Sequence, residues 1–401
     1  MFSRVFKAFR YRDFRLMWIG ACTSSVGTWM QKLAQSWLVL QLTDSPWLLG
    51  VDAFLGEIPI FLFSLVGGVV ADRMDRRHLL LVSQVVQLSC AFGLAALIAT
   101  GLVQVWHILT LSFIVGTAQA FGGPAYQALV PMLVKSDDLP NAIALNSIQF
   151  NVARVIGPML GGIALTQLGA AWCFGLNGLS FVAVIISLLM LRIRFVPART
   201  GVSMLHSMKE GIGFIRMQTG MESLIVLAFL MTMLGVPMLV FLPVIAKDVF
   251  QGGPTVYTLL LSVSGVGSVV GALVFAGWNQ RAKLGRDALL MLVVLGGTMA
   301  AFALSTNLVL SLILLFVSGA ALIAVFSAIS SLVQLICNDE IRGRVMSVYN
   351  VAFRGGMPIG SLMAGRLVET FHAPAVLAVN GVLLGLLASY FLVVNRKVSR
   401  L

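Results

Sequence analysis

The chain has 401 residues, of which 59% are hydrophobic and only 10% charged, far below the roughly 25% of a soluble domain. Apolar runs of about 18 residues or more recur along the whole length, so the sequence reads as a polytopic helical membrane protein. The net charge of +12 does not point to nucleic acid, because the basic residues gather in alternate loops, the positive-inside pattern.

The first basic group is Arg4, Lys7, Arg10, Arg12 and Arg15, followed by a predicted helix over 16–41. This span is too long, and too rich in Gln and Lys near its far end, for a cleaved signal peptide, and it reads as a retained helix. Ser24, Thr28, Gln31, Lys32 and Gln35 recur at helical spacing and form a polar stripe, which is unfavourable against lipid and is expected to line a cavity. The second span, 47–70, returns after a turn near Asp44-Ser45. Lys32 and Glu57 are about equally far from that turn, so at roughly 1.5 Å per residue they reach similar depth and are predicted to approach each other. An opposite charge favours ionised Glu57, whereas desolvation favours its neutral form. That competition suits a proton-coupling group, the alternative being a purely structural pair. Asp52, nearer the external surface, is the second candidate.

The next loop reads "GGVVADRMDRRHLL" over 67–80 and carries Arg73, Arg76 and Arg77. Gly68 is expected to permit close helix approach, and Asp72 to face the positive N-terminal end of a neighbouring helix. Spans follow at 79–100 and 107–133. The fifth, 142–166, contains "NVARVIGPMLGG": a charge, Arg154, then Gly157-Pro158 and Gly161-Gly162. Small residues there allow tight packing, and proline supplies a fixed bend. After a sixth span at 172–191 comes the longest polar interval, 192–221. It holds Arg192, Arg194 and Arg199, and its segment 203–217, "SMLHSMKEGIGFIRM", is amphipathic and predicted to lie at the membrane surface.

Six more spans are predicted at 222–246, 255–278, 288–304, 308–335, 345–367 and 373–394. Basic residues again mark alternate loops: Arg281, Lys283 and Arg286, then Arg342 and Arg344, then Arg396, Lys397 and Arg400, with Lys247 and Arg366 as exceptions on the other side. At an offset of 200, Arg154 matches Arg354, Pro158 matches Pro358 and Ser147 matches Ser347, while Asn177-Gly178 recurs as Asn380-Gly381. The chain therefore divides into a six-helix bundle over 1–191, a central cytoplasmic loop over 192–221 and a second six-helix bundle over 222–401, with both termini cytoplasmic. Repeated halves of this kind characterise secondary transporters. Ionisable residues at mid-membrane are costly and functional by default. Arg154 and Arg354 can pair with carboxylates, bond backbone carbonyls or attract an anionic substrate, and their retention in both halves favours a role in the shared architecture.

Other chemistry finds no support. There is no Walker A string, "GVGSVVG" (265–271) has the wrong spacing for a dinucleotide loop, and the four cysteines and four histidines form no metal or nucleophile pattern.

The 67–80 string resembles the cytoplasmic signature of the major facilitator superfamily. Gly68, Asp72, Arg73, Arg76 and Arg77 fit it, and Asp75 stands where that family usually has glycine. Gly157, Pro158, Gly161 and Gly162 resemble the end of the fifth-helix motif of its proton-coupled exporters. "PAYQALVPMLVKSDDLPNAIALNS" and "IRGRVMSVYNVAFRGGMPIG" are similar to the branch containing enterobactin, macrolide and tetracycline exporters. The fourth span departs from the family in lacking an arginine, and the second copy of the cytoplasmic signature has lost its aspartate. The resemblance implies an all-α fold of twelve transmembrane helices in two pseudo-symmetric bundles. It also implies a conformational latch at Asp72 and Arg73, and proton-driven export of a small amphipathic compound, a siderophore-like metabolite or drug, by alternating access. The expected partners are that cargo, protons and the lipid bilayer of a bacterial inner membrane, with no nucleic acid, no cofactor and no metal, for a chain acting as a monomer. Glu57, Asp52, Lys32, Gln31, Gln35, Arg154 and Arg354 are the candidate residues for coupling and the cavity. Siderophore or metabolite uptake by the same fold and a non-transporting membrane receptor are the alternative readings.

Overall fold

The computed structural model describes residues 6–192, 204–277 and 283–401. Arg4, Arg194, Arg199, Arg281 and the first residue of the amphipathic segment lie outside them. The regular elements among the described residues are helices: α1 (Arg12–Thr43), α2 (Pro46–Arg73), α3 (Arg76–Ala99), α4 (Val105–Leu129), α5 (Leu139–Gln167), α6 (Ala170–Met190), α7 (Met204–Met217), α8 (Met221–Gly235), α9 (Pro237–Val240), α10 (Leu242–Asp248), α11 (Pro254–Gly277), α12 (Leu284–Leu304), α13 (Leu308–Ile336), α14 (Asp339–Phe371) and α15 (Ala373–Val393), with short 3-10 turns between some of them.

Ten of the described stretches are long and apolar enough to cross a membrane. α1 and α14, at 32 and 33 residues, are long enough but too polar to join them. Ten of the expected twelve spans are thus apolar enough among the described residues, and the two exceptions carry Lys32 and Arg354. The predicted seventh span is not one straight helix. Pro237 and Pro243 divide it into α8, α9 and α10, because proline lacks an N–H and clashes with the preceding turn. Pro158 and Pro358 lie inside unbroken α5 and α14.

Contacts divide the chain into two units, one from Met1–Thr43 and Leu55–Gly201, the other from Asp44–Phe54 and Val202–Leu401. α7, in the central interval, packs within the second unit, where Glu210 pairs with Arg344 and Gly211 meets the Arg344 carbonyl. The two exceptions to the charge pattern are neutralised inside this unit. Lys247 pairs with Asp44, and Arg366 Nη1 lies 3.7 Å from Glu369.

Within the first unit, α5 packs on α1 through its glycines. A Cβ on Gly157 would fall 2.5 Å from Trp29 Cβ and 2.8 Å from the Val26 carbonyl, and one on Gly161 would fall 3.0 Å from Met30 Cα. The second unit repeats this contact between α14 and α8: Gly356 meets Phe229, Thr232 and Met233, and Gly360 meets the Met233 backbone. Val26, Trp29 and Met30 correspond to Phe229, Thr232 and Met233 at an offset of 203 (29 + 203 = 232). Asn177 and Asn380 obey the same offset and reach Gln31 and Leu234 respectively. On α5 and α14, however, the packing offset is 199, from Gly157 to Gly356 and Gly161 to Gly360. The sequence match at 200 is therefore one residue out of register. The structural counterpart of Arg154 is Phe353, and Arg354 is rotated by about 100° around its helix.

Candidate functional site

The polar stripe of α1 is only partly open. Gln31 accepts a hydrogen bond from Asn177 Nδ2 at 2.6 Å, and Gln35 donates to Ser112 Oγ at 2.9 Å. Ser24 is buried, and Ser25 accepts from Gln149 at 2.6 Å. These contacts join α1 to α6, α4 and α5. Gln31 and Gln35, expected to line a cavity, are half-buried, and each has a hydrogen-bond partner on a neighbouring helix of the same unit.

Lys32 differs. Its side chain is 59% exposed, and its Nζ lies 3.7 Å from Glu57 Oε1 on α2, a distance that follows from the equal spacing of the two residues about the hairpin turn. It also lies 5.5 Å from the centroid of the Trp29 ring, while Arg154 Cζ is 5.7 Å from the same ring. Phe150 meets Trp29 edge-on at 6.1 Å. The result is a contiguous chain, Arg154–Trp29–Lys32–Glu57, contributed by α5, α1 and α2. Cation–π attraction of about 0.5–1 kcal/mol per exposed cation is small beside the few kcal/mol that a mid-membrane charge costs. Among the described residues Arg154, half-buried, has no hydrogen bond or ion pair. The ring offsets part of its charge and a carboxylate none.

Asp52 is buried in the stretch of α2 assigned to the second unit, about 140° around the helix from Glu57. Arg354 is exposed on α14, and the residue matching Trp29 there is Thr232, which donates to the Phe353 carbonyl at 2.9 Å. Trp29 went unnoticed in the sequence, where it looks like one more apolar residue. The usable signal was its position three residues before Lys32, on the same helix face.

The basic loop also reads differently in three dimensions. A Cβ on Gly68 would meet open space, whereas one on Gly67 would collide with the Ala120 carbonyl. The close approach belongs to Gly67. Asp72 Oδ1 lies 3.5 Å from Arg76 Nη2, its own i+4 neighbour. Arg76 donates to the Ala128 carbonyl at 3.1 Å, and Arg77 to those of Leu189 and Leu191 at 2.8 and 3.3 Å. The two arginines thus satisfy orphan carbonyls at the C-terminal ends of α4 and α6. Arg73 is exposed. Asp75, the departure from the family pattern, is the N-cap of α3 and accepts from Arg77 N at 2.9 Å.

These features define a multi-pass helical membrane protein with a charged cluster held in one unit of a duplicated fold, the architecture of a secondary transporter. The transmembrane secretion effector family model matches residues 3–401, and the chain belongs to that family of the major facilitator superfamily. It is 22% identical to the staphyloferrin A transporter of Staphylococcus aureus (strain NCTC 8325 / PS 47), over 93% of this chain and 94% of that protein. It is 27% identical to the enterobactin exporter EntS of Citrobacter koseri, over 93% and 90%. Among solved structures, a mutant of the nucleoside transporter NupG superposes with a TM-score of 0.80 at 14% identity, covering 95% of this chain and 98% of that one. A bacterial homologue of the iron transporter ferroportin superposes with a TM-score of 0.70 at 16% identity, covering 95% and 98%. The fold is therefore that of a major facilitator transporter.

Proposed function

We propose that the protein exports a small organic siderophore-like compound across a bacterial inner membrane, driven by inward proton movement, with both termini cytoplasmic. The family relationship supports the transport class, and the enterobactin exporter and staphyloferrin A transporter supply the cargo class. The observation that carries the coupling is the Lys32–Glu57 contact at 3.7 Å. A carboxylate beside a cation changes its proton affinity whenever that cation is drawn away. Protonation then biases one conformation over the other, as any effector does through differential binding. The proton gradient serves as the energy source, and a single chain is sufficient for the cycle.

The test compares small molecules in medium and cells of strains with and without the gene, grown iron-poor and iron-rich. Export predicts a compound that disappears from the medium and accumulates in the deletion cells, and an iron chelator among such compounds identifies the cargo class. Accumulation outside the deletion cells instead reverses the direction to uptake. Ligand binding to purified protein with no flux in vesicles leaves the receptor reading in its place.

A further inference from the structure

Arg154 is the most informative residue on the molecule. It lies 16 residues into a 29-residue membrane helix, and among the described residues its guanidinium has neither hydrogen bond nor ion pair, only the Trp29 ring at 5.7 Å. A buried or half-buried cation ordinarily has an anionic partner or carbonyls to bond. The second cation on the ring, Lys32, has Glu57 beside it, whereas Arg154 has only the ring. The packing register sharpens the point. The second unit places Phe353 where Arg154 stands and Thr232 where Trp29 stands, so the pairing of a guanidinium with an indole at these positions is no requirement of the helix packing that the two units share.

We propose that Arg154, Trp29 and Lys32 form the subsite for an acidic group of the cargo, which is an organic anion bearing a carboxylate or similar oxyanion next to a flat unsaturated portion. The planar guanidinium fork matches two oxygens of a carboxylate, and the indole face accepts the adjoining flat group. Lys32 is within reach of the same ring, so an anion seated there competes with Glu57 for the ammonium. A cationic amphiphile, the other common cargo of multidrug exporters, meets two like charges and is rejected. This inference rests on the transport reading above and specifies its cargo.

Equilibrium dialysis of the full-length protein in lipid nanodiscs tests it with three probes of nearly equal shape: 2-naphthoate, neutral 2-naphthamide and the 2-naphthylmethylammonium cation. The expected order is naphthoate first, with at least about a tenfold preference over the amide, equivalent to about 1.4 kcal/mol, and the cation last. Arg154→Gln removes the preference for naphthoate over naphthamide, and Arg154→Lys, which keeps the charge without the fork, restores part of it. Equal binding of naphthoate and naphthamide by the natural protein, absence of binding by all three, or retention of the preference in Arg154→Gln overturns the proposal. The probe series on the natural protein needs no variant to fold. The metabolite comparison separates the two readings: export of a neutral or cationic compound sinks this subsite and leaves export standing, whereas a naphthoate preference without any exported compound sustains the subsite and removes the export reading.

Discussion

The two units share a skeleton and not a chemistry. Val26, Trp29 and Met30 of the first unit and Phe229, Thr232 and Met233 of the second meet the same pair of glycines on the opposing helix, and Asn177 and Asn380 reach equivalent positions on α1 and α8. Gly67 on Ala120 and Gly271 on Ala320 repeat a second close approach. Yet the positions of Lys32 and Trp29 are occupied in the second unit by Gly235 and Thr232, and that of Glu57 by Leu261 (57 + 204 = 261, the offset of Gly67 and Gly271). Duplicated residues therefore report on how helices fit together. Unduplicated polar ones are candidates for function, and the chain Arg154–Trp29–Lys32–Glu57 lies in the first unit.

The strongest way to break this division is to exchange chemistry between the units. Glu57→Gln keeps the size and a hydrogen-bonding amide but cannot lose a proton. In proteoliposomes with an imposed pH gradient, gradient-driven transport should fall to the level of empty vesicles. Leu261→Gln, the same group introduced at the matching place, should leave transport near the natural rate. Full gradient-driven transport by Glu57→Gln would remove Glu57 from coupling and return the Lys32 contact to a structural role.

The shared skeleton predicts the opposite symmetry. Gly360→Ala drives a methyl into the Met233 backbone, and Gly161→Ala sets one in tight contact with Met30, so both should destabilise by about 1–3 kcal/mol, the Gly360 variant more, seen as lowered apparent Tm in nanodiscs. A loss in one unit and none in the other would mean that the register of 203 and 199 is wrong.

Asparagine substitutions give a smaller and uneven effect. Asn177→Leu removes a 2.6 Å bond and leaves the Gln31 carbonyl without that donor, so about 1–2 kcal/mol is expected. Asn380→Leu removes a longer, 3.3 Å bond to the Leu234 carbonyl in the last turn of α8, and about 1 kcal/mol or less should be lost. Thermal unfolding of the two variants side by side reads the difference.

How much of this was legible beforehand follows from the kind of signal. Helix depth obeys a fixed rise per residue, so the Lys32–Glu57 approach could be calculated from a hairpin turn and two positions. Apolar length and loop charge likewise marked the spans. Register around a helix is not legible in that way, because one inserted residue turns every later side chain by about 100°. The identity match at 200 therefore paired Arg154 with Arg354, while packing pairs it with Phe353. Glycines were ambiguous for a related reason: Gly67 and Gly68 are neighbours, and only the position of Ala120 says which one is packed. Trp29 was invisible because an indole in a membrane helix is ordinary until a cation is placed over it.

The smallest effect concerns the one place where the first unit departs from the facilitator signature. Asp75 caps α3 through Arg77 N, whereas α12, which follows the corresponding loop in the second unit, begins at an N-cap, Lys283, with no side-chain hydrogen bond. An N-cap can be an acceptor side chain or a glycine that leaves the first amides open to water, and the two differ by only a few tenths of a kcal/mol, against about 1 kcal/mol for alanine. Asp75→Gly, which restores the family's usual residue, should therefore be nearly silent in apparent Tm and in transport, and Asp75→Ala should show a small loss of stability alone. Lys283→Asp should raise the stability of the second unit by a comparable amount, since it adds the cap that unit lacks. If Asp75→Gly instead slows transport while leaving Tm unchanged, the aspartate belongs with the unduplicated chemistry of Lys32 and Glu57, and the division between skeleton and function must be redrawn at that loop.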